Sequence, residues 1–152
     1  MLEYAIVLPA GSGKSTLAKK YNFLIDIDSL HTKKFREELE EKYQNTLKTG
    51  DWDSYNKFEC DWILFYLKEY PKNYILLVHC FEKADILGLT ILGSFKPTFD
   101  IIKSVSSKRG EKRGNITLHN WINVGDCIIM DSHQKIEKEV LKLYENISIL
   151  KS

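Results

Sequence analysis

Apolar residues in this chain fall into short unbroken runs, separated by stretches with helical spacing. The runs are Tyr4-Ala5-Ile6-Val7-Leu8, Phe23-Leu24-Ile25-Asp26-Ile27-Asp28, Tyr74-Ile75-Leu76-Leu77-Val78-His79, Gly88-Leu89-Thr90-Ile91-Leu92-Gly93-Ser94 and Cys127-Ile128-Ile129-Met130. Their length and β-forming composition predict five strands, the first over Glu3–Leu8. Helices are predicted from Ser15 to Tyr21, from Lys33 to Tyr43 (capped by Ser29, charged on most faces and exposed), and from Asp51-Trp52-Asp53-Ser54 to Tyr70, where Pro71 stops the last. His133 to Tyr144 reads as an amphipathic helix. Alternating strands and helices predict an α/β domain with a parallel sheet covered on both faces, whose ligands collect at the carboxyl ends of its strands. No repeat or Pro/Gly-rich linker interrupts the 152 residues, which read as one domain.

Composition narrows the partners more than the fold. A formal net charge of +1 gives no global attraction to nucleic acid or to a membrane surface, so any such partner would be engaged locally. No run of 18 apolar residues is present. The first ten residues are apolar but contain Glu3 and lead into a glycine-rich turn, so they read as a strand and not a signal peptide. Cys60, Cys80 and Cys127 have neither zinc-ligand spacing nor a disulfide framework, which predicts reduced thiols in a cytoplasmic protein.

Chemistry enters at Leu8-Pro9-Ala10-Gly11-Ser12-Gly13-Lys14-Ser15-Thr16, between the first strand and the first helix. Glycines at 11 and 13 let the backbone take positive φ and turn successive N–H groups towards an anion. Lys14 would bring a point charge to the β- and γ-phosphates of a nucleoside triphosphate, and the Ser15 hydroxyl would ligate Mg²⁺. The longer form of the pattern has a glycine at position 8, where this chain has Leu8.

Other candidates follow strand ends. Asp26 and Asp28 are two apart and are expected on one face of the strand end, to hold Mg²⁺ or take a proton from an acceptor hydroxyl. The alternative is that Asp28 helps cap the next helix and Asp26 is a solvated strand end. His79 ends the third strand; it is read either as a contact to phosphate or acceptor, or as a buried, hydrogen-bonded histidine. Lys103 to Arg113 is basic, carries Arg109 and Arg113 four apart, and is expected in a mobile loop that closes over nucleotide. Phe58, Trp62 and Phe65 read as core, Trp52 and Tyr55 as core or acceptor pocket, and Trp121 as packing. His31, His119 and His133 lack metal-ligand spacing, with His133 also a candidate neighbour of the adenine.

Gly11 to Thr16 followed by the Asp26-Ile27-Asp28 strand end resembles the small phosphate-loop kinases, which include nucleoside monophosphate, shikimate, gluconate and polynucleotide 5′-kinases. Asp28-Ser29-Leu30-His31 is similar to the gluconate enzymes. His79, Ala84 to Gly88, Arg113-Gly114-Asn115 and Asn120-Trp121 look like compact nucleotide-kinase-like proteins of phages and large DNA viruses. The resemblance implies a three-layer phosphate-loop NTPase fold with strand order 2-3-1-4-5 and a basic lid at about 103–116. It also implies in-line transfer of the γ-phosphoryl group of ATP. Carried over, Gly11, Ser12, Gly13, Lys14, Ser15 and Thr16 cradle the nucleotide, and Ser15 and Asp28 are magnesium ligands. Lys14, Asp28, Arg109 and Arg113 are catalytic, while Asp26, Asp28, Arg36 and His79 line the acceptor site. Arg36 is the one candidate to clamp an acceptor phosphate.

The expected function is therefore an ATP- and Mg²⁺-dependent kinase acting on a small acceptor, first a nucleoside monophosphate or related nucleotide. A sugar acid or a polynucleotide 5′ end is the alternative, and near-neutral charge disfavours nucleic acid. A non-catalytic nucleotide-binding module is the reading from another class, supported by Leu8 and by the lack of an acid at the end of the third strand.

Overall fold

The computed structural model describes residues 1–151. Five strands form a parallel sheet: β1 (Tyr4–Val7), β2 (Leu24–Asp26), β3 (Ile75–Val78), β4 (Thr90–Pro97) and β5 (Ile128–Met130). Their spatial order is β2-β3-β1-β4-β5. The helices are α1 (Lys14–Lys20), α2 (Lys33–Thr49), α3 (Trp52–Leu67), α4 (Phe81–Leu87), α5 (Phe99–Lys108), α6 (Glu111–Asn123) and α7 (His133–Lys151). The five expected strands and the alternation with helices are all present. Among the described residues no helix is long and apolar enough to cross a membrane, and the three cysteines are free thiols.

The pleat sorts the apolar runs into two cores. Ala5, Val7, Leu76 and Val78 face Cys60, Ile63 and Leu67 of α3 and Ala84 and Leu87 of α4. Ile6, Leu8, Ile75 and Leu77 face Leu17 of α1 and Ile136, Val140 and Ile147 of α7. Strands covered on both faces carry apolar side chains at every position, which is why these runs do not alternate. β4 bulges against β1: Ala5 pairs with Ile91 and Ile6 with Gly93, leaving Leu92 over. A side chain at Gly93 would meet Leu143 of α7 at 2.9 Å, so the bulge needs a glycine for α7 to pack closely.

Several boundaries differ from expectation. Thr32, not Ser29, caps α2 by accepting the Phe35 N–H at 3.1 Å, while the Ser29 hydroxyl donates to Asp26 O. α2 continues to Thr49 and buries Phe35, Leu39 and Thr46, so it is not exposed on all faces. Phe65 is 71% exposed; the buried stripe of α3 runs Glu59-Cys60-Ile63-Leu67, and Phe65 lies on the far side of the helix. Trp62 instead stacks on Phe35 at 4.4 Å and donates its indole N–H to Leu30 O.

The largest correction concerns residues 103–116. They are not a loop: α5 and α6 form a helical hairpin that turns at Gly110, φ 84°. Ile102, Ser106, Gly114 and Thr117 are buried at helical spacing, which holds the charged residues between them in regular helix. The helices meet most closely at Gly114, whose carbonyl accepts the Ser106 hydroxyl at 2.9 Å.

Candidate active site

Because the sheet is parallel, the segments leaving β1, β2 and β3 emerge along one edge. They carry the glycine loop, Asp28 and His79. Leu8 stands where the longer form of the pattern has its outer glycine. Its N–H donates to Val78 O at 2.8 Å and its side chain is fully buried, so position 8 extends the ladder before the chain turns. Gly11 and Gly13 have φ of 86° and 100°, and Gly13 is the N-cap of α1. Two other elements brace the turn. Asn120 of α6 accepts the Ala10 N–H at 2.6 Å and donates to His79 O at 3.2 Å, and His133 Nε2 donates to Gly11 O at 2.9 Å.

Lys14 opens α1 and is 6% exposed, yet among the described residues no carboxylate lies within ion-pair distance of its ammonium. Burial lowers its pKa to about 8, against the opposing pull of the more distant Asp28 and Asp26. Ser12 Oγ, in the same turn, is buried without a hydrogen-bond partner. Ser15 and Thr16 are exposed in the first turn of the helix. An uncompensated ammonium, an orphaned hydroxyl and two positive-φ glycines at a helix N-terminus fit a polyphosphate.

Asp26 and Asp28 do not share a face. The strand ends at Asp26, whose buried carboxylate accepts the Asp28 N–H at 3.1 Å and caps a short 3-10 turn over Ile27–Leu30. Asp28 rides on that turn with its side chain 46% exposed, and its Oδ2 lies 3.0 Å from His79 Nε2. Burial opposes its ionisation, but His79, Lys14 and Lys83 together hold it well below the usual carboxylate range. His79 itself sits below the ordinary imidazole value, pushed there by burial and by Lys14. Arg36 donates to the Asp28 carbonyl at 3.1 Å.

Arg109, at the end of α5, donates to Thr117 Oγ1 at 3.0 Å, and its charge is felt at Asp28 and Lys14. Arg113 is exposed one turn into α6. The hairpin packs directly over the loop, since a Cβ at Gly11 would sit 2.3 Å from Ile102 Cδ1 and 3.1 Å from Thr117 Cγ2. Tyr43, Trp52 and Tyr55 form a ring cluster 5.6 to 6.0 Å apart between α2 and α3, and Trp52 reaches His119 of α6 at 6.5 Å. Burial raises the Tyr55 hydroxyl far above its usual range, helped by the charge of Glu59.

Sequence reasoning missed Glu59 and Lys83, and gave Asn120 no role beyond its place in the resemblance. Glu59 and Lys83 are buried and 2.6 Å apart. A charged residue at a core position of α3, between Cys60 and the aromatic residues, was the available signal for Glu59. No protein-family model matches the chain, and no curated protein sequence matches it.

Proposed function

We propose that this chain is an ATP-dependent phosphotransferase with a phosphate-loop NTPase fold, moving the γ-phosphoryl group to a small acceptor held beside Asp28. The observation that carries this reading is Lys14: a buried ammonium without a counter-ion, set in a turn whose glycines free the backbone N–H groups for an anion. Sheet order and the position of the loop after β1 support the fold. In this reading Gly11, Ser12, Gly13, Lys14, Ser15 and Thr16 cradle the nucleotide. Ser15 and Asp28 would be the chain's magnesium ligands; among the described residues no group of three or more His, Cys, Asp or Glu is suited to a metal ion. Bound magnesium would neutralise charge on the transferring group.

The chain's own residues do the rest. Lys14 offsets charge on the β- and γ-oxygens, and Arg109 and Arg113 approach from the hairpin, which also excludes water. The acceptor oxygen attacks the γ-phosphorus, the bond to the β–γ bridging oxygen breaks, and ADP leaves. A nucleoside monophosphate is one acceptor. A hydroxyl acceptor is the second reading, and the arginines favour it. The chain has three, Arg36, Arg109 and Arg113; two lie on the hairpin, and Arg36 is bonded to a backbone carbonyl. A hydroxyl would give its proton to the ionised Asp28, whereas a phosphate would meet a like charge there. The Trp52–Tyr55 rings offer a flat apolar contact for a base or sugar.

Calorimetry with Mg-ATP, followed by ATP consumption against nucleoside monophosphates, nucleosides, sugar acids and 5′-hydroxyl oligonucleotides, tests both readings. Heat of binding with acceptor-stimulated turnover supports the kinase. Binding without turnover favours a non-catalytic module, and no heat with millimolar Mg-ATP or Mg-GTP removes the proposal.

A further inference from the structure

Five ionisable side chains lie in a row that runs from His31, behind the site, to Asp28 within it. Glu59 of α3 is 2% exposed; its Oε2 lies 3.2 Å from His31 Nε2 and its Oε1 lies 2.6 Å from the Lys83 ammonium. Lys83 of α4, itself buried, reaches His79 Nδ1 at 3.3 Å, and His79 Nε2 lies 3.0 Å from Asp28 Oδ2. An ammonium can only donate, so Nδ1 must accept; the proton of a neutral imidazole then sits on Nε2 and is donated to Asp28. The directions of the two hydrogen bonds at His79 follow from the charge on Lys83, and the ion pair with Glu59 keeps that charge in place.

We infer that Glu59, Lys83 and His79 form a positioning chain for Asp28, in which the buried ion pair selects one tautomer of His79 and His79 pins one carboxylate oxygen. This rests on the reading of Asp28 as the acceptor-side acid. Glu59 and Lys83 act on the reaction only through that carboxylate. A buried ion pair is weak evidence for stability, because well-packed apolar residues of the same volume serve as well or better. An apolar pair at 59 and 83 would leave the His79 ring without a defined tautomer and Asp28 free to turn. Partners that orient a working group in this way typically change activity 10–100-fold when removed, by analogy with metal-site second partners.

Nitrogen-15 NMR of His79 at a single pH, on the protein alone, tests the inference. The expected spectrum has a protonated Nε2 and a bare Nδ1, and mixed tautomers in the double variant Lys83→Met/Glu59→Gln, which removes both charges at similar volume. Acceptor-stimulated kcat should fall about 10–100-fold in that variant, with KM for ATP within about twofold of the parent. His79→Gln, whose amide N–H can still reach Asp28, should keep more activity than His79→Leu, and this pair decides the matter if the double variant does not fold. A bare Nε2 or a doubly protonated ring in the parent protein overturns the inference, as does an unchanged kcat in a variant whose tautomers are mixed. A protein that turns over no acceptor defeats the kinase reading, while the parent spectrum still decides whether Lys83 sets the tautomer.

Discussion

Lys14 and Lys83 are buried to nearly the same degree, 6% and 7% exposed, and are held in opposite ways. Lys83 has Glu59 at 2.6 Å, and that carboxylate raises its pKa above the ordinary lysine value in spite of burial. Among the described residues Lys14 has no such partner, and burial lowers it to about 8. The fold supplies a close counter-charge for one lysine and none for the other among the described residues. The charge of Lys83 is thus satisfied within the fold, and that of Lys14 is the one the proposed function assigns to a bound polyphosphate.

Substitutions at the two lysine sites should separate accordingly. Glu59→Ala strands the Lys83 charge and should cost about 3–5 kcal/mol of stability, read by urea unfolding. Lys14→Met should leave stability unchanged or raise it, because a desolvated charge is removed, while turnover falls about 10²–10³-fold. A Lys14→Met protein as fragile as Glu59→Ala would abolish the distinction.

The pH dependence of stability should differ in the same sense. Between about 8, the folded-state value of Lys14, and its ordinary 10.5 the unfolded chain binds more protons there, so the contribution of Lys14 to stability rises across that window. Mg-ATP binding should weaken as pH rises above about 8, because the free protein then loses the charge that grips the phosphates; calorimetry across pH 7 to 10 checks this. Glu59 is lowered from 4.5 to about 2, against the effect of its own burial, chiefly by Lys83. Its contribution is complete above 4.5 and is lost as pH falls towards 2, a loss that acid titration should find absent in Lys83→Met/Glu59→Gln.

Smaller effects are expected where the hairpin meets the loop. Gly11→Ala combines φ 86° with a 2.3 Å approach to Ile102, and Gly114→Ala drives a methyl to 2.6 Å from the Ser106 carbonyl. Each should cost about 1–3 kcal/mol, read by thermal or urea unfolding. Gly50→Ala, at φ 73° but with nothing within 4 Å of its Cβ, should cost less than either.

Much of the fold was legible because its signals are local. The uninterrupted apolar runs of β1 and β3 announce strands buried on both faces, although the same kind of run in β5 lies at the exposed edge, and Asp51 caps α3 as its side chain suggests, accepting the Ser54 N–H at 3.2 Å. Residues 103–116 misled because their charges are conspicuous, while Ile102, Ser106, Gly114 and Thr117, which hold the two helices in place, are scattered among them. Asp26 misled because strand spacing was extended past the residue at which the strand ends.

The residues from Leu8 to Thr16 signal the turn in the sequence, since positive φ at glycine and the start of α1 depend on neighbours a few positions away, and Asn120 and His133 then brace it. His79 and Lys83 are four apart in the chain, but Asp28, at the end of β2, and Glu59, in α3, reach them from elsewhere with no short-range pattern to connect them. Which charge is neutralised and which is left open depends on distances of a few ångströms between segments far apart in the chain. Only the packed sheet sets those distances.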